Sequence, residues 1–96
     1  MPDSELGFEW DEVKAKRNLA KHGIGFEEAA SVFFDPLSIT ISDPDHSQPG
    51  EDRWITLGVS NLGKLLVVAH CDRGEVVRII SARSAIPSER RTYEEE

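Results

Sequence analysis

Apolar and polar positions change period once along this chain, and the change separates a helical part from a sheet-forming part. Phe8-Glu-Trp10 is a short extended start. Asp11 is placed to cap a helix opening at Glu12, and Gly23 supplies the left-handed residue that closes it, so a first helix is predicted over 12–22. Phe26, Ala29, Ala30 and Phe33 repeat at i, i+3, i+4 and i+7, the buried face of a second helix that Asp35-Pro36 stops.

After Pro36 the period falls from about 3.6 to 2. Leu37, Ile39 and Ile41 alternate with Ser38, Thr40 and Ser42, a half-buried strand. A polar loop over 43–52 leads to a second alternating run at Ile55, Leu57 and Val59. Asn61-Leu-Gly63 turns into the more continuously apolar strand 64–70, and Asp72-Arg-Gly74 turns into the strand 76–82. Pro87 and Ser88 open a last helix that runs through Tyr93. The expected fold is α+β: two N-terminal helices, a four-stranded antiparallel meander and a C-terminal helix packed on a twisted sheet.

Length and composition bound this picture. At 96 residues, 39% hydrophobic and 30% charged, the chain reads as a single globular domain over 1–96. No run approaches 18 apolar residues, so no membrane partner is expected, and the acidic N-terminus lacks the basic start of a signal peptide. Together with the lone Cys71, this points to the cytoplasm. No metal or other cofactor is implied. Asp43, Asp45, Ser47, Glu51 and Asp52 resemble a calcium loop, but the glycine and glutamate that such a loop needs at its sixth and twelfth positions are missing. His46 and His70 have no partner at ligand spacing and read as structural.

Charge sharpens one segment. The chain carries a net charge of -7, yet residues 13–22 hold Lys14, Lys16, Arg17 and Lys21 without an acid. With Val13 at zero and about 100° per residue, Arg17, Lys21, Lys14, Asn18 and His22 fall between about 40° and 180°, one polar arc. Val13, Ala15, Leu19 and Ala20 lie on the other side, the expected buried stripe. The arc is either a solvated face or a site for an anion. Unpaired cations in one arc repel by a few tenths of a kcal/mol per pair, which favours the anion mildly. His22 is either a cation favoured by the helix C-terminus or a general acid or base. A net-acidic chain is a poor general binder of duplex nucleic acid, but a local phosphate remains accessible to such an arc.

Phe8-Glu-Trp-Asp11, Lys14, Asn18, Lys21-His-Gly23, Phe26-Glu-Glu-Ala29, Phe33-X-Asp35, Glu51-X-Arg53, Gly58, Arg78-Ile-Ile-Ser-Ala-Arg83 and Glu89-Arg-X-X-Tyr93, in this order and spacing, resemble the BrnT toxins. Gly25 stands where such sequences commonly place a capping serine. The resemblance implies a RelE-like fold, metal-independent ribonuclease activity, and a toxin–antitoxin hetero-oligomer with a BrnA-like ribbon-helix-helix antitoxin. Operator DNA is then met only through the antitoxin.

Cleaving RNA without a metal requires a base for the ribose 2′-hydroxyl, an acid for the departing 5′-oxygen and cations for the pentavalent phosphorane. The candidates are His22, Lys21, Arg83, Glu89 and Tyr93 for the chemistry, with Lys14, Arg17, Arg53 and Arg78 for RNA phosphates. Strand parity sends Arg78 and Arg83 to opposite faces unless the strand ends or bulges near Arg83. The alternative function is a catalytically silent, antitoxin-binding subunit of a transcriptional autoregulatory complex, in which these residues are structural.

Overall fold

A computed structural model describes residues 7–95; residues 1–6 and residue 96, including the acidic N-terminus read above, lie outside the described residues. The order is β1 (Gly7–Glu9), α1 (Glu12–His22), α2 (Phe26–Ser31), β2 (Ile39–Ser42), β3 (Arg53–Val59), β4 (Leu65–Arg73), β5 (Val76–Ser84) and α3 (Pro87–Glu94). The end signals of α1 behave as expected. The Asp11 carboxylate accepts the Val13 and Lys14 amides at 2.8 and 3.0 Å, and Gly23 (φ 72°) donates its N–H to the Leu19 carbonyl. Gly25 offers α2 no capping side chain, and α2 lasts six residues before tightening into a 3-10 turn at Val32–Phe34.

The sheet has five strands in the order β1-β5-β4-β3-β2, not the expected four. β2 to β5 form the antiparallel meander, and β1 adds to β5 in parallel, pairing Gly7 to Glu9 with Val76 to Arg78. Three residues are too few to show a period. Their partner is a strand near the other end of the chain, so no turn signal marks the pairing.

Helices cover both sheet faces unequally. On one face Ile24, Phe26, Ala29 and Val32 pack on Leu66, Val68, Val77, Ile79 and Ala82, the main core. Burying a side chain such as Phe26 contributes about 1.5–3 kcal/mol. Trp10 meets Phe26 edge-on at 5.9 Å, and Phe8 packs against Phe33 at 5.4 Å, which ties β1 to α2 and the turn that follows it. On the other face α3 lays Tyr93 over Leu57, Leu65 and Val67 but buries no residue of its own.

The strand β3 comes close to the Val32–Phe34 turn because residue 58 is glycine. A Cβ there would sit 2.8 Å from Val32 and 3.0 Å from Ser38. Asp35 then fastens the junction, accepting the Leu37 and Val59 amides and the Tyr93 hydroxyl at 2.9, 2.9 and 2.6 Å. Burial pushes the Asp35 carboxyl up, but these hydrogen bonds outweigh it and hold the group below its ordinary value.

Candidate nucleic-acid interface

The helix α1 meets the sheet with Asn18 of its polar arc and Ala15 of its apolar side, while the rest of the expected buried stripe faces outward. Val13 and Leu19 are 57% and 54% exposed, whereas Asn18 is 7% exposed. The physical reason lies in β5. Its pairing with β1 stops at Arg78, and Asn18 serves the bare edge beyond as a side-chain substitute for a strand. Asn18 Nδ2 donates to the Ala82 and Ile24 carbonyls at 2.8 and 3.0 Å, and Oδ1 accepts the Ala82 N–H at 3.1 Å. A buried backbone edge needs such partners.

This docking carries the rest of the arc with it. Lys14, Arg17, Lys21 and His22 line a shallow groove whose other wall is Ile80 and Ser81 of β5. Among the described residues none of these four forms a salt bridge. Every other arginine that the sequence singled out has an acid.

Those arginines lie on the sheet face opposite α1. The β4–β5 register shifts between Ala69 and His70, so Ala69 pairs with Ser81 but His70 with Ile79, leaving Ile80 as the extra residue of a β-bulge. Arg83 pairs with Val67 and Arg78 with Cys71, which restores both arginines to one face and removes the expected opposition. Arg53, opposite Cys71 from β3, joins them. Arg53, Cys71 and Arg78 form one row across three strands, about 4.8 Å apart from strand to strand. Arg53 contacts Glu51 at 3.5 Å and has a buried Nε with no hydrogen-bond partner. Arg78 binds Glu9 at 2.9 Å, and Arg73 reaches the same carboxylate at 3.4 Å.

Arg83 and Glu89 form a two-pronged pair, Nη1 to Oε1 at 2.9 Å and Nη2 to Oε2 at 2.8 Å. Glu89 Oε1 also accepts the Ile86 N–H at 2.9 Å, capping α3. The Arg83 hydrogen bonds hold the Glu89 carboxyl below its usual range, against the opposing effect of burial. Tyr93 donates to Asp35, and that bond, aided by burial and by the Asp35 charge, pushes its hydroxyl up to about 12. Arg83, Glu89 and Tyr93 thus meet around α3, while Lys14, Arg17, Lys21 and His22 meet across α1 and β5. Ser81 touches both neighbourhoods: it lines the α1 groove and pairs with Ala69 on the arginine face.

The remaining chemistry-bearing residues are built into the core. His70 is 2% exposed, with Nε2 at 2.8 Å from Thr56 Oγ1 and Nδ1 at 3.1 Å from Asp72. Thr56 in turn contacts Thr40 at 2.8 Å. Burial lowers the His70 pKa more than Asp72 raises it, so a neutral ring fits this chain of hydrogen bonds. Cys71 is buried and its thiol is pushed up, first by burial and then by Glu51. In the 43–52 loop, Asp43 binds His46 at 2.9 Å across a 3-10 turn at Pro44–His46. Sequence reasoning passed over Ser81, and it missed the edge-binding role of Asn18. A polar residue amid a basic arc carries no mark that distinguishes it from solvated surface.

Three helices on a mixed five-stranded sheet, with basic side chains gathered at β5, define a small α+β protein. The crystal structure of the Brucella abortus ribonuclease toxin, BrnT, at 1.1 Å resolution superposes with a TM-score of 0.57 and 28% sequence identity, over 84% of this chain and 97% of that one. No curated protein sequence matches this chain. The family described as "Ribonuclease toxin, BrnT, of type II toxin-antitoxin system" matches residues 10–89, and this chain belongs to it. It is therefore the toxin member of a type II pair, with an antitoxin as its partner. Among the described residues no helix is long and apolar enough to cross a membrane.

Proposed function

We propose that this toxin is an endoribonuclease that cleaves RNA by attack of a ribose 2′-hydroxyl on the adjacent phosphorus. The 2′-oxygen forms the new bond to phosphorus and loses its proton to a base, while the bond to the 5′-oxygen breaks and that oxygen takes a proton from an acid. The products are a 2′,3′-cyclic phosphate and a 5′-hydroxyl. His22 performs one of the two proton transfers, and Lys21, Lys14 and Arg17 stabilise the charge on the phosphorane. The observation that carries this reading is the groove itself, which gathers these four side chains with no acid among its lining residues.

RNA leaving the groove over Ser81 meets the face that holds Arg78, Arg83 and Arg53, which bind neighbouring phosphates by exchanging them for Glu9, Glu89 and Glu51. Glu89 and Tyr93 are positioning residues: one aims Arg83 and the other holds α3. The chemistry as proposed needs no metal. The reaction belongs in the cytoplasm, where RNA is present, and a BrnA-like ribbon-helix-helix antitoxin neutralises it and carries the pair to operator DNA. The RelE-like fold that the family resemblance implies belongs to this same reading, and the layout of helices over one sheet supports it.

The second reading, a catalytically silent antitoxin-binding subunit, draws on the acid that occupies each of Arg53, Arg78 and Arg83. Incubating the free protein with unstructured RNA in chelator, beside His22→Ala and Arg83→Ala, separates the two. Cleavage that falls in the variants supports the ribonuclease, and no cleavage by wild type supports the silent subunit.

A further inference from the structure

The edge of the sheet farthest from the basic groove is also unoccupied. β2 ends the sheet, and among the described residues nothing pairs with its outer side. Along it Ile39, Ile41, Ile55, Leu57 and Val67 floor an apolar groove walled by α3 at Glu89 and Thr92. Ile41 is 57% exposed there. Residues 39–42, Ile-Thr-Ile-Ser, contain no proline or charge to blunt pairing with another strand. An open apolar edge of this kind invites a strand from another chain.

The charge beside this edge specifies what fits it. Residues 43–52, which follow β2, hold Asp43, Asp45, Glu51 and Asp52 and no lysine or arginine. The nearest cation, Arg53, is already held by Glu51. A complementary segment is therefore extended, apolar at every second position and basic at the end that lies beside Asp43 and Asp45.

We infer that β2 and the groove beneath α3 form the docking surface for the antitoxin, which adds an extended segment to β2. Its apolar side chains enter the groove beside Ile39 and Ile41, its alternate polar ones lie on the Thr40 side, and its lysines or arginines face the 43–52 loop. The inference rests on the toxin reading of the chain. β3 and β4 separate β2 from β5, so β2 itself lies about 14 Å across the sheet from β5, at about 4.8 Å per strand, while the inner end of the groove reaches Val67 and Glu89 beside Arg83. Substitutions on β2 then separate antitoxin capture from RNA chemistry.

The test uses the full chain and the protein encoded by the adjacent reading frame, purified together and apart. Hydrogen exchange of the residue 40–42 amides should slow at least tenfold in the complex. Ile41→Lys, at an exposed position, should keep the wild-type thermal midpoint and bind the partner at least tenfold more weakly. A complex that forms with unchanged β2 exchange and tolerates Ile41→Lys overturns the inference while leaving the toxin reading intact. Self-association of the wild type that Ile41→Lys abolishes also overturns it, because the occupant is then a second copy of this chain. A partner that does not bind at all removes the toxin–antitoxin pairing and the inference with it.

Discussion

Arg83 and Glu89 share two parallel hydrogen bonds of 2.9 and 2.8 Å, and through them the last strand holds the last helix. The pair is partly exposed, with side chains 41% and 27% accessible, so solvent screens it and its removal costs about 0.5–1 kcal/mol. Because the folded-state pKa of Glu89 is depressed, its contribution is present above the unfolded carboxylate pKa and is lost as pH falls through the folded value. Urea unfolding of wild type and Glu89→Gln should therefore differ at pH 7 and converge in acid. A difference that persists in acid shows that the charge is not what matters.

Tyr93 provides a second reporter of α3. Its hydroxyl, which donates to Asp35, should titrate near 12 when followed by tyrosinate absorbance. The folded pKa is raised, so this bond stabilises fully below the unfolded value and is lost as pH rises through the folded one. Tyr93→Phe should cost about 1–2 kcal/mol at neutral pH, measured by urea denaturation, because it leaves Asp35 without one of its donors. A tyrosinate midpoint near 10 would mean that the bond does not form in solution.

Asn18 is the polar residue on which the docking of α1 depends. Asn18→Leu keeps much of the volume but strips partners from the Ala82 N–H and carbonyl and from the Ile24 carbonyl, at a cost of about 2–4 kcal/mol. Thermal unfolding and amide exchange at Ala82 would register the change. A variant within 0.5 kcal/mol of wild type would show that this edge does not need Asn18.

The parts legible in sequence were those with local causes. Asp11 and Gly23 mark both ends of α1 because caps act within a few residues, and the change of period after Pro36 marks where the sheet begins. The fifth strand was not legible, since Gly7 to Glu9 are strand only through pairing with Val76 to Arg78. The common face of Arg78 and Arg83 was hidden for a related reason. Parity is a property of an unbroken strand, and the extra residue at Ile80 appears only once β4 is laid beside β5. The wheel named the arc of α1 but left it between solvent and an anion and did not bury Asn18, because hydrophobicity does not register that a bare strand edge attracts an amide more strongly than Val13 or Leu19.

The central claim concerns the groove between α1 and β5, and RNA cleavage tests it most directly. Wild type, His22→Ala and a Lys14→Glu, Lys21→Glu double variant are incubated free of antitoxin with single-stranded RNA in chelator, and the fragment ends are analysed. Wild type should leave 2′,3′-cyclic phosphate and 5′-hydroxyl ends, with cleavage about 10²–10⁴-fold slower in His22→Ala and similarly depressed in the double variant. Equal cleavage by all three folded proteins would contradict the account.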